Sequence, residues 1–229
     1  MKTARFAVVA VAFAAGGSGA QEIAHTLGRI DPYLLEERVE VALAASAAPA
    51  HVSAAATVLV LHRDGYRALR EGTNGFTCLV ERSWSSPIGP HRDFFNPRLR
   101  APICYNREAS GTILGDYLRR TELALAGRSI AEIKRTIETE IGTGTLLAPR
   151  GLAMSYMLSA GQVLGSQAGQ YKPHVMVYIP YATDAELGDN PATSDHPVIF
   201  EHTGGPLAAI VIPVKAFNPV GETAPAPRH

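Results

Sequence analysis

The chain has 229 residues, 46% of them hydrophobic and 18% charged, which is enough apolar material for a folded core. Lysine plus arginine and aspartate plus glutamate number 21 each, so nothing in the charge balance suggests a nucleic-acid surface or an acidic solvating tract.

Lys2 and Arg5 precede an apolar run over residues 6–15 (FAVVAVAFAA), and Ser18-Gly19-Ala20 supplies small residues after it. That order predicts a signal peptide over residues 1–20 with cleavage before Gln21, since a run of that length is too short to cross a bilayer. The mature chain is therefore expected to be periplasmic or secreted. No later stretch has the ~18 uninterrupted apolar residues of a transmembrane helix, so no membrane span is expected after cleavage.

Residues 21–56 read as a helical N-terminal segment. Asp31-Pro32 reads as a helix start, Leu34, Leu35, Val39 and Leu43 follow at near-helical spacing, and Pro49 limits the end. Residues 57–217 read as an α+β domain, beginning with β-rich stretches at 57–62 (TVLVLH), 66–70 and 76–82. Short glycine-containing turns join them, which predicts an antiparallel meander. Alternation puts Phe76, Cys78 and Val80 on one face and Thr77, Leu79 and Glu81 on the other. Residues 83–102 contain four prolines and are expected to form a long irregular loop, packed down by Trp84, Phe94 and Phe95.

Residues 108–126 read as one helix closed by Gly127, and Ser129-Ile130-Ala131-Glu132 is a capping-box pattern opening a second, through about Ile141. Strands are expected at 152–159, 174–180, 198–201 and 207–214, and a disordered tail at 218–229. Strands, a central helix pair and more strands predict one α+β domain with a mostly antiparallel sheet and an N-terminal helix.

Cys78 and Cys104 are the only cysteines. In an oxidising compartment they are expected to pair, and closing the loop between them stabilises a fold by ~3–4 kcal/mol. The alternative is a Cys78 nucleophile with His174 as its base. The stretch 75–80 (GFTCLV) and the strand-borne 174–179 (HVMVYI) resemble secreted cysteine peptidases, although in those the cysteine opens a helix and here it sits in a β-rich run.

His174 is the most informative polar residue. Alternation sets His174, Met176 and Tyr178 on one face of their strand, with the valine face (Val175, Val177, Ile179) expected in the core. Met154, Tyr156 and Leu158 are expected to extend the His174 surface. Met and His side chains are also Cu(I) ligands, which makes periplasmic copper binding a further alternative. Glu81, Arg82, His91, Arg92 and Asp93 are candidates for a polar pocket, with Arg92, Arg98 and Arg100 able to hold a carboxylate or phosphate. His174 is expected to face the 83–102 loop, with His91 or Arg92 near it.

Residues 72–84 (GTNGFTCLVERSW), 96–106 (NPRLRAPICYN) and 173–180 (PHVMVYIP) resemble an uncharacterised family of secreted bacterial proteins. That resemblance implies export and brings no activity or site residues. The sequence thus predicts an exported, disulfide-stapled protein that binds a small molecule or protein partner through His174, His91, Arg92, Glu81 and Tyr178, its cofactor unspecified. A hydrolase using Cys78 or the His91/His174 pair is the alternative.

Overall fold

The structure is a computed structural model and describes residues 26–85, 94–165, 171–191 and 195–220. The expected signal peptide and the positions of His91, Arg92 and Asp93 lie outside the described residues. An eight-stranded, mostly antiparallel sheet with helices makes the fold α+β.

The N-terminal helix begins later than Asp31-Pro32 implies. Residues Asp31–Tyr33 form a single 3-10 turn, and α1 runs Glu37–Ser46. Asp31 caps nothing and instead forms ion pairs with Arg29 and Arg63. A short helix, α2 (Ala50–Ser53), leads into the sheet.

Strand β1 (Thr57–His62) pairs with β2 (Gly65–Arg70) antiparallel, as the turn predicts. β3 (Thr77–Arg82) does not continue a meander beside β2. It lies on the other side of β1 and runs parallel to it, with Thr57 opposite Thr77 and Val58 opposite Cys78. Gly72 makes this crossing possible. A Cβ there would stand 2.1 Å from the Thr57 nitrogen and 2.3 Å from the Ala56 carbonyl carbon, so only glycine fits. The crossing is fastened by bonds from the Thr73 N–H to the Ala55 carbonyl and the Thr57 N–H to the Phe76 carbonyl.

β4 (Arg100–Tyr105) pairs antiparallel with β3 over its whole length, so the expected loop ends at Arg100 and Pro102 sits inside a strand. The Val80 carbonyl accepts a bond from the Tyr66 hydroxyl on the β1 side, so Val80 and its partner Pro102 form a non-hydrogen-bonded pair. The Pro102 nitrogen then points toward β5 (Ala153–Met157), which pairs with β4 at Cys104 and Tyr105 and not at Pro102, and no ladder bond is lost. Cys78 and Cys104 occupy the same kind of pair and are disulfide-bonded, with Cα atoms 3.9 Å apart.

β6 (His174–Tyr178), β8 (Ala209–Pro213) and β7 (Val198–Glu201) complete the order β2-β1-β3-β4-β5-β6-β8-β7. Between β4 and β5 stand three helices. The expected helix over 108–126 is broken at Thr112 into α3 (Arg107–Gly111) and α4 (Ile113–Leu125). Thr112 leaves helical geometry with φ −130° and ψ −77°. Gly127 closes α4 at φ 70°, and α5 (Ile130–Gly142) opens with the Ser129/Glu132 capping box.

Alternation along β3 divides the core as predicted. Cys78 and Val80 pack with Cys104, Val58 and Val60 against Leu43 and Ala44 of α1. Leu79 packs with Ile103, Tyr105 and Met157 against Leu114, Tyr117, Ile133 and Ile137 of α4 and α5. The valine face of β6 is not core: Val175 and Val177 are half-buried and Ile179 is 47% exposed. α1 packs mainly against β1, β3 and β4, so the β6 half of the sheet is not its main contact. Asn218, at the start of the expected tail, donates its side-chain N–H to the Ser46 and Ala48 carbonyls.

Candidate functional site

Glu81 and Arg82 are neighbours in β3 and point to opposite faces. Arg82 faces α1 and does not join a pocket with Glu81. Its guanidinium donates to Glu40 Oε2 at 2.8 Å, with both side chains fully buried. It also donates to the carbonyls of Tyr33 and Val80. Glu40 Oε1 accepts the Leu61 N–H of β1 at 3.0 Å. β1 and β3 pair only at their first residues, so the backbone beyond is left without a ladder partner. The ion pair satisfies those groups, together with a chain of bonds from Arg82 N–H to Tyr117 OH to Tyr66 OH to the Val80 carbonyl. Burial pushes the Glu40 carboxyl up, and Arg82 and the Leu61 N–H oppose it.

Glu81 faces a cavity of about 260 Å³ between the sheet and α4. His174 and Tyr178 of β6 line the same cavity, with Tyr105, Asp116, Tyr117, Met176 and His202. Three of the five ligand-site candidates are thus brought together, while His91 and Arg92 lie outside the described residues. Ser85, at the near end of the expected loop, also lines the cavity. Trp84 anchors the turn Ser83–Ser85: it is fully buried, and its indole N–H donates to Thr121 Oγ1 of α4 at 2.9 Å. Arg98 is exposed. Arg100 stands opposite Arg82 in the register, hence on the α1 side of the sheet and away from the cavity.

Glu81 is 6% exposed and accepts the Tyr105 hydroxyl at 2.5 Å. No lysine, arginine or histidine forms an ion pair with it among the described residues. Burial pushes its carboxyl up to about 7, against the Tyr105 and Ser85 hydrogen bonds that favour the charged form. Asp116, one turn before Arg120 on α4, takes the Arg120 Nε at 2.9 and 3.1 Å.

His174 is 3% exposed, and its Nδ1 lies 2.7 Å from the Lys172 carbonyl. A carbonyl can only accept, so Nδ1 carries the proton and Nε2 of the neutral ring is the bare acceptor. Burial lowers the His174 pKa, and the Lys172 bond opposes the shift. The Tyr171 ring meets the imidazole edge-on at 5.3 Å. The Tyr178 hydroxyl bonds Ser155 Oγ at 3.0 Å, and its ring lies 6.4 Å from that of Tyr105. The neighbours of the His174 face on β5 are Met157, Ser155 and Ala153, not Met154 and Tyr156, which oppose Val177 and Val175. Leu158 lies beyond the strand, its N–H donating to the Ala47 carbonyl.

Cys78 has no thiol to offer, because it is bonded to Cys104. Its side chain also sits in the α1 layer, across the sheet from His174. The Cys78 nucleophile is therefore overturned. Among the described residues no group of three His, Cys, Asp or Glu is arranged to hold a metal ion.

A wider cleft of about 1060 Å³ lies outside, lined among others by Arg120, Lys134, Leu147, Tyr181 and His202. His202 borders both spaces. Tyr181 (φ 68°) and His202 (φ 55°) are non-glycine residues in the left-handed region, a costly conformation that neighbouring bonds must hold. The Tyr181 N–H to Gly205 carbonyl and Gly205 N–H to His202 carbonyl bonds, each 2.7 Å, do so.

The sequence reading missed Tyr105, Asp116, Tyr117 and His202. Asp116 had a local signal, an acid among the apolar positions of α4 with an arginine four residues on. Tyr105 follows Cys104 on a strand hidden by proline, and nothing local marks His202. No family model matches the chain, and no curated protein or solved structure matches it either.

Proposed function

We propose that this chain is an exported, disulfide-stapled binding protein that takes a small molecule into the cavity between Glu81 and His174. One observation carries the reading: Glu81 is a buried carboxyl without an ionic partner among the described residues, and it borders a largely apolar cavity with His174, Tyr105 and Tyr178. Mostly apolar walls with a few fixed polar groups are what small-molecule sites use for affinity and orientation. The disulfide accords with an oxidising compartment, as does the expected signal peptide. No helix among the described residues is long and apolar enough to cross a membrane.

A thermal-shift screen of small alicyclic and aromatic compounds tests the reading. A binder raises the melting temperature of the wild-type protein by mass action. Leu164→Trp, which fills the cavity from its wall, removes the rise. An undiminished response in that variant puts the site elsewhere. N-terminal sequencing of exported protein is expected to start at Gln21, and a start at Met1 overturns the cleavage.

A second reading, a hydrolase using acid–base groups, is favoured by Glu81 and His174 sharing one cavity with Glu81 titrating at about 7. Turnover of a chromogenic ester that either Glu81→Gln or His174→Ala abolishes would select it over simple binding.

A further inference from the structure

The inner cavity is lined by acidic and aromatic side chains. Among the described residues its wall carries two carboxylates, Glu81 and Asp116, and neither lysine nor arginine. Arg120 lies in the outer cleft and spends its Nε on Asp116, so the Asp116 charge is balanced, while no ion pair balances Glu81 among the described residues. The two imidazoles on the wall do not supply the missing cation, since burial lowers the pKa of both His174 and His202. Four tyrosines, Tyr105, Tyr117, Tyr171 and Tyr178, contribute to the lining. Carboxylate plus aromatic walls are the chemistry that recognises organic ammonium groups, through ion pairing and attraction to ring faces. A carboxyl buried without a counterion is costly to ionise, and a bound cation relieves that cost.

Resting on the binding reading above, we infer that the ligand is a small organic monocation, an amine or quaternary ammonium with an apolar body, whose charge pairs with Glu81. A volume of about 260 Å³ admits a ring or short branched chain of about the size of cyclohexane. Pairing requires ionised Glu81. The groups facing it are Tyr105 and Ser85, which favour the anion, and Asp116, which opposes it, with Arg120 acting weakly the other way. Cation affinity therefore rises with pH through about 7.

Isothermal titration of the full mature protein with three probes of one shape decides the matter: cyclohexylammonium, cyclohexanol and cyclohexanecarboxylate. At pH 8 the ammonium is expected to bind at least ten-fold tighter than the alcohol, and the carboxylate not to compete. Lowering the pH to 6 should weaken ammonium binding by about ten-fold, the change in ionised fraction of a group titrating near 7. At pH 7, binding should release about half a proton per event, read from buffers of different ionisation enthalpy. Glu81→Gln should remove the preference for the ammonium, and a wild-type circular dichroism spectrum with a cooperative melt shows that the variant is folded. Equal binding of alcohol and ammonium, or preference for the carboxylate, overturns the cation and leaves the cavity reading standing. No heat from any of the three overturns both.

Discussion

Glu81 and Arg82 are adjacent charged residues on one strand, both buried, and their surroundings differ completely. The Arg82 guanidinium meets Glu40 and the carbonyls of Tyr33 and Val80, and its backbone N–H meets the Tyr117 hydroxyl, so each of its nitrogens has a partner within the fold. Glu81 meets one tyrosine hydroxyl, a serine, and a cavity. A buried charge with a complete set of partners explains itself structurally. A buried charge lacking a counterion leaves a cost that the fold does not offset, and such costs are found where a protein binds or reacts. The α1 face of the sheet thus carries a closed charge network, and the opposite face carries a buried carboxyl on a cavity.

The largest expected effect tests the paired face. Arg82→Met strands Glu40 in a dry layer and should lower the unfolding free energy by ~3–5 kcal/mol in urea titration. Adding Glu40→Leu should not restore wild-type stability, because the Leu61 N–H and the Tyr33 carbonyl lose their partners as well. Full recovery would mean that the pair does not stand in for the missing ladder. On the same face, replacing Cys78 and Cys104 together with alanine should cost ~3–4 kcal/mol, for a loop spanning 26 residues. Peptide mapping without reductant should show the two cysteines in one linked fragment.

The cavity face should respond with the opposite sign. The Glu81 carboxyl titrates at about 7 in the fold against 4.5 ordinarily, so folding favours its protonated form. Stability from this group is present in full below pH ~4.5 and falls as the pH rises through ~7. Glu81→Gln should therefore stabilise the ligand-free protein at pH 8 by about 3 kcal/mol and flatten the decline between pH 5 and 8. Destabilisation by that variant at pH 8 would place Glu81 among the structural charges. The smallest effect concerns Tyr105→Phe. It removes a bond to the charged form and should cost ~1 kcal/mol at pH 8. It should also move the midpoint of the pH transition upward. An unmoved midpoint would show that Tyr105 does not tune Glu81.

About half of the candidate site was legible in the chain. Glu81, His174 and Tyr178 stood out as polar residues on strands with clear alternation, and they line one cavity. His202 belongs to a turn whose left-handed φ depends on bonds to distant segments, and no local pattern announces it. Tyr105 lies on a strand that the loop expected over 83–102 leaves out, because Pro102 is harmful only if its nitrogen faces a paired neighbour.

What the sequence by itself determined is local. The Ser129/Glu132 capping box, the Gly127 helix end, the span of β6 and the two faces of β3 follow from interactions within a few residues. The tertiary structure decided which strand lies beside which and which face is covered. Two turns cannot tell a meander from a crossing, and here Gly72 lets β3 pass to the far side of β1. Alternation groups Val175 with Val177 and His174 with Tyr178 but does not say which group meets a helix layer. That depends on where α1, α4 and α5 pack, and α1 packs mainly against β1, β3 and β4. The partner of Arg82, 42 residues away, and the lack of an ionic one for Glu81 among the described residues follow from the same packing.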